Sequence, residues 1–202
     1  MGLFSGRRSG DTPPEWIVFG LGNPGDRYAN TRHNVGDDAV RLIAQRVSAS
    51  FKSGKNDAFV AETRLSDQRC VLAIPVTFMN QSGRAAASVI KRFGLTDPSK
   101  LIVVHDELDL EPGDTRLKLG GGLAGHNGLR SIAQHLGTKD FLRVRIGVGR
   151  PPSADRGADW VLSKVPKRGR PELDIGIVSA ADAVELVISS GVENAMQSVN
   201  RR

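Results

Sequence analysis

Between residues 16 and 36 the chain reads WIVFGLGNPGDRYANTRHNVG, and no other stretch constrains the fold as strongly. Residues 16–19 are apolar in succession rather than in alternation, so a strand made from them needs cover on both faces. Gly20, Gly22, Pro24 and Gly25 then break the strand, and a polar loop runs on to a helix. A loop that leaves the carboxyl end of a strand in an open α/β sheet lies where such folds bind ligands. Asn23 and His33 are therefore candidates from position alone.

The rest of the chain repeats this alternation. Val35, Ala39, Leu42, Ile43 and Val47 fall at helical spacing over 35–47. AFVAETRL at 58–65 and CVLAIP at 70–75, separated by the turn-rich SDQR, predict a hairpin. The loop VTFMNQSG at 76–83 leads to a helix over 82–93, which Gly94 ends. LIVVH at 101–105 is the clearest strand and delivers the acidic stretch DELDLEPGD at 106–114. TRLKL predicts a strand ahead of the glycine-rich GGGLAGHNG at 120–128, followed by a helix over 129–136 and a strand over 144–149. A polar connection over 151–170, with a short WVL contact, precedes helices over 172–188 and 192–199. The expectation is a single α/β domain over 15–202: a mixed, mostly parallel twisted sheet with helices on both faces, preceded by a disordered tail over 1–14.

The formal net charge of +6 favours a polyanionic partner. The single cysteine, Cys70, sits in an apolar run, which leaves no disulfide framework and fits a reducing, cytoplasmic setting. No run approaches the roughly 18–20 apolar residues that cross a membrane.

Four polar clusters fall in loops or at strand ends: Asn23 with His33, Met79 with Asn80, Asp106, and His126 with Asn127. An imidazole made more basic by a carboxylate can take a proton from water, while amides can hold a substrate and an oxyanion without adding charge. That set suits acyl hydrolysis by an activated water. Other chemistries fit less well. The four histidines show no i, i+4 pair and no suitable acidic ligand pair, so no metal site is expected. There is no G-x-S-x-G elbow, GLGNPG fails the dinucleotide fingerprint, and the triple glycine lacks a phosphate loop's Gly-Lys ending.

GLGNPGDRYANTRHNVG, VTFMNQSG, VVHDELDLEPGDTRLKLGGGLAGHNGLRSI and FLRVRIGVGRP, in this order and spacing, strongly resemble bacterial-type peptidyl-tRNA hydrolase. The resemblance implies a monomeric, cofactor-free α/β enzyme with no obligate protein partner. Its substrate would be peptidyl-tRNA, cleaved at the ester between the peptide and the terminal ribose. It makes His33 the general base, Asp106 its partner, and Asn23, Asn80 and Asn127 the polar contacts for peptide, ester or water. Tyr28 and Met79 would line the site, and Lys118 and Arg145 would meet the tRNA. The residues alone leave Glu107 and Asp109 open as partners of His33; the resemblance selects Asp106. For His126 a loop-anchoring and a catalytic role both stay open, and His105 and His135 are expected to be structural.

Strand alternation puts Arg143 and Arg145 together on one solvated face. The chain departs from the family pattern at Leu123 and Ala124, where His-Gly is usual, and at Ile74 and Phe78, where Lys and Tyr are usual. Two other readings remain open: an RNA- or partner-binding relative without catalysis, and a small-ester hydrolase that does not use RNA.

Overall fold

β1 (Trp16–Gly20) is buried along its whole length, as its unbroken apolar run requires. The computed structural model describes residues 12–53 and 57–201. Six further strands complete the sheet: β2 (Lys52–Ser53), β3 (Ala58–Leu65), β4 (Gln68–Pro75), β5 (Leu101–Glu107), β6 (Thr115–Leu119) and β7 (Leu142–Gly147). Their order is β2-β3-β4-β1-β5-β7-β6. β1 pairs in parallel with β4 and β5, and β5 with β7, whereas β2–β3, β3–β4 and β6–β7 are antiparallel. Only β3 and β6 oppose the common direction, so the sheet is mixed and mostly parallel, as expected.

Helices α1 (Val35–Arg46), α2 (Ser82–Phe93), α3 (Asn127–Leu136), α4 (Gly157–Leu162), α5 (Arg170–Ser190) and α6 (Val192–Asn200) surround the sheet. The period-two alternation of the strands divides the core. Val18, Leu72, Ile102 and Val144 pack with Val40 and Ile43 of α1 and Val184 of α5 on one face. Ile17, Phe19, Val71 and Val103 pack with Val89 of α2 and Ile132 of α3 on the other. Each strand residue buried this way contributes about 1.5–3 kcal/mol, so the two helical layers are what hold the central strands in place.

Several boundaries differ from expectation. β5 continues through Asp106 and Glu107, so the acidic stretch begins inside the strand. β7 starts at Leu142 rather than 144, and the connection over 151–170 contains α4. α5 begins at Arg170, with Pro171 in its first turn where a missing N–H costs nothing. Most of the tail expected over 1–14 lies outside the described residues; of its described part, Pro14 is buried and the Thr12 carbonyl accepts from the Arg69 guanidinium. At the far edge, the Asn200 side chain accepts from the Leu117 N–H at 2.8 Å and donates to the Leu117 carbonyl at 3.0 Å, so α6 closes the outer side of β6.

Candidate active site

Glycine sets the geometry where α1 meets the sheet. A Cβ on Gly36 would stand 2.2 Å from the Val104 carbonyl oxygen and 2.8 Å from the Leu21 nitrogen, and one on Gly20 would stand 2.5 Å from the Gly36 oxygen. Backbone therefore meets backbone: Leu21 N–H donates to Val104 at 2.9 Å and Asp37 N–H to Leu21 at 3.0 Å. This close approach carries the 3-10 turn Arg32–Asn34 over the carboxyl end of β5. There His33 Nδ1 lies 2.7 Å from Asp106 Oδ1, and both side chains are buried.

Asp106 Oδ1 serves two rings, because His126 Nε2 lies 2.9 Å from the same oxygen. The tautomer of His126 follows from its other nitrogen. Nδ1 accepts from the N–H groups of Gly128 and Leu129 at 3.1 and 3.3 Å, capping α3, so its proton is on Nε2. An ionised Asp106 likewise requires the His33 proton on Nδ1, which turns the lone pair of Nε2 outward. Burial alone would push the His33 imidazole down, but the charge and hydrogen bond of Asp106 outweigh it and hold it above 6.5. Burial would raise Asp106, yet His33 and His126 keep it far below the usual carboxylate range. His105 donates from Nδ1 to the Asp106 carbonyl at 2.6 Å, and burial, its largest influence, holds it neutral. Among the described residues, His33, Asp106 and His126 are also the one group of possible metal-ligating side chains within 4.8 Å of one another; His33 Nδ1 and His126 Nε2 are engaged with the shared carboxylate, and His33 Nε2 is not.

The amides divide into two sets. Asn23 Oδ1 accepts from the Met79 N–H at 2.8 Å, which ties the loop after β1 to the turn Met79–Gln81. Asn34 then holds Asn23 at both backbone atoms, accepting from its N–H and donating to its carbonyl, each at 2.9 Å. Asn80 is exposed on the same turn as Met79, and Tyr28 stands edge-on to Phe78 with ring centroids 6.2 Å apart. Asn127 opens α3 and lines a cavity of about 220 Å³ together with His33, Asp106, Ala124, His126 and Val161. Thus His33, Asp106 and Asn127 share one cavity wall, whereas Asn23, bonded to the Met79 N–H, lines a different cavity together with Asn30, Asn34 and Arg41. Cys70 takes no part: it is buried in β4, where desolvation pushes its thiol up to about 11.

Residues 17–202 match the family model described as peptidyl-tRNA hydrolase. The chain belongs to the peptidyl-tRNA hydrolase family. It is 51% identical over 187 residues to the peptidyl-tRNA hydrolase of Frankia casuarinae, covering 93% of each chain. The peptidyl-tRNA hydrolase of Cutibacterium acnes is 48% identical over 198 residues, covering 93% of this chain and 98% of the relative. Among solved structures, peptidyl-tRNA hydrolase from Acinetobacter baumannii superposes with a TM-score of 0.86 at 37% identity, covering 92% of this chain and 94% of its own. Purine nucleoside phosphorylase from Toxoplasma gondii, at a TM-score of 0.53 and 8% identity, shares the fold alone.

Within this peptidyl-tRNA hydrolase fold, the basic strand residues do not behave alike. Lys118 and Arg143 are cross-strand neighbours, as are Arg116 and Arg145. The expectation that Arg143 and Arg145 are both solvated is corrected by the structure. Arg143 is 2% exposed under the glycine-rich loop, and Arg145, partly exposed, pairs with buried Glu107 at 3.0 Å. Lys118 is half-buried and has no carboxylate partner among the described residues. Sequence reasoning also missed Asn34 and Arg32. Asn34 stands where a helix cap is expected, a signal that was present, but its amide turns to Asn23 instead. Arg32 stacks on Trp160 at 3.7 Å and donates to Ser163 Oγ at 2.7 Å, which fastens the His33 turn to the end of α4.

Proposed function

We propose that this chain hydrolyses peptidyl-tRNA at the ester joining the peptide to the terminal ribose, and that His33 is the general base. The observation that carries this reading is the 2.7 Å contact between His33 Nδ1 and Asp106 Oδ1 at the wall of the cavity. With its Nδ1 proton committed to Asp106, His33 takes a proton from water at Nε2, and the carboxylate stabilises the imidazolium that forms. General-base help of this kind is worth roughly 10²–10⁴-fold in rate. Water then adds to the ester carbonyl, the tetrahedral oxyanion collapses, and the ribose oxygen leaves with a proton returned from His33. Asn80 and Asn127 contact peptide or ester, and Asn23 acts by holding the Met79 turn beside them. His126 donates from Nε2 to Asp106 and holds the carboxylate in place. No step calls for a metal.

Lys118 and Arg145 meet the phosphates of the tRNA end, which accords with the basic balance of the chain. A monomer acting in the cytoplasm fits the free, buried Cys70 and the absence of any described helix long and apolar enough to cross a membrane. The test is release of peptide from N-blocked aminoacyl-tRNA by the purified protein. His33→Ala should abolish release with the fold intact, and a variant as active as the parent would remove His33 from the mechanism. Binding of tRNA without cleavage would favour a non-catalytic relative.

A further inference from the structure

Arg143 is the largest side chain in the fully buried set, and among the described residues no carboxylate is in ion-pair contact with it, Glu107 acting on it only at longer range. Its neighbour along β7, Arg145, holds Glu107. The Arg143 guanidinium instead donates through one terminal nitrogen to the Gly122 carbonyl at 2.7 Å and through the other to the Gly120 carbonyl. Both acceptors belong to the glycine-rich loop, and a fork of two parallel donors suits two carbonyls two residues apart in a way that a single ammonium does not.

The loop is shaped to supply those carbonyls. Gly120 and Gly121 have φ of +62° and +82°, left-handed values that turn successive carbonyls toward one side. The same segment then runs through Leu123, which packs against the α2–α3 core, to Ala124, Gly125 and His126 in the cavity wall. Ala124 has φ of +48°, a left-handed conformation that disfavours an L-residue and is kept only where its surroundings enforce it.

We propose that Arg143 is a positioning residue, a buried cation whose two-carbonyl clasp holds the glycine-rich loop in the conformation that forms one wall of the catalytic cavity. The clasp links the wall to the strand pair that carries Lys118 and Arg145. Arg143 touches no reacting atom. Its loss should loosen the wall and weaken substrate capture while leaving the His33–Asp106 pair able to turn over what is bound.

Two arms test this, and only the second rests on the peptidyl-tRNA reading. In the first, backbone order parameters are measured by ¹⁵N relaxation on the full chain, with Arg143→Lys and Arg143→Met as variants. Residues 120–125 should fall from about 0.85 to below about 0.6 in both, while β7 and α3 stay rigid. In the second, Arg143→Lys, which keeps the charge, should raise KM for N-blocked aminoacyl-tRNA about tenfold with kcat within twofold. Should Arg143→Met fail to fold, the lysine variant carries both arms. A loop as ordered in the folded variants as in the parent, or a kcat that falls with KM unchanged, overturns the proposal. A parent without hydrolase activity would overturn the functional reading and leave the relaxation result to decide this one.

Discussion

The carbonyl oxygen of Val104 occupies the space that a Cβ on Gly36 would need, 2.2 Å from it. Gly36 lies three residues beyond His33, and Val104 two before Asp106, so this backbone contact sets the spacing of the pair. Gly36→Ala must part α1 from β5. We expect a loss of about 1–3 kcal/mol in stability from overpacking and at least a tenfold fall in kcat/KM. Chemical unfolding and steady-state kinetics check both; parental activity in a folded variant would show that the pair tolerates a shift of α1.

Asp106→Asn should change the pH dependence as well as the rate. The base is active when deprotonated, so kcat/KM in the parent should rise through a His33 value above 6.5. Without the carboxylate, burial alone acts on the ring and the rising limb should move to lower pH. An Asn amide also donates toward Nδ1, which favours the wrong tautomer, and kcat should fall by roughly 10²–10⁴-fold. Stability follows the same linkage. The folded His33 value is raised, so its contribution is fully present below about pH 6.5 and is lost as pH climbs through the raised value. Relative to Asp106→Asn, the melting temperature of the parent should therefore drop across that window, and parallel curves would refute the coupling.

Lys118 and Arg145 should separate when mutated. Lys118→Ala removes a cation that holds no carboxylate, so tRNA affinity should weaken and the slope of log K against log salt should shrink by about 0.7–0.9 if one phosphate contact is lost. Arg145→Ala also strands Glu107 in the interior and should cost stability on the order of 2 kcal/mol. Adding Glu107→Gln should restore the stability and leave the affinity weak. An unchanged salt slope in Lys118→Ala would take that residue out of the RNA contact.

Asn34→Ala deletes two buried hydrogen bonds to the backbone of Asn23 and leaves both groups unsatisfied. A loss of about 2 kcal/mol is expected in urea unfolding, with a higher KM because Asn23 no longer fixes the Met79 turn. A stability change within experimental error would mean that solvent replaces the amide at no cost.

Much of this was legible in the chain. Consecutive apolar residues at 16–19 signalled a strand covered on both sides, LIVVH at 101–105 signalled another strand, and Val18 and Ile17 indeed serve opposite helical layers. The hairpin, the stop at Gly94 and the pairing of His33 with Asp106 were all accessible from pattern or resemblance. What escaped depends on contacts distant in sequence. Alternation correctly put Arg143 and Arg145 on one face, but no local pattern reports that a loop 21 residues upstream folds over the first of them. The two-residue strand β2 is too short to carry a period, and the six residues of α4 sit in a polar stretch whose helical state owes more to Trp160, bonded to the Gly149 carbonyl, than to propensity. Asn34 showed a cap residue in the right place, yet the N–H it accepts from lies eleven positions back.

The reciprocal bonds between Asn200 and Leu117 have a consequence for how these molecules behave in a crowd. An open outermost strand is a template on which another polypeptide can extend the sheet, and here a single amide occupies the donor and acceptor that such an intruder would need. At Leu117 the rim therefore offers a neighbouring chain no free ladder group, and the sheet cannot be extended there without first displacing the end of α6.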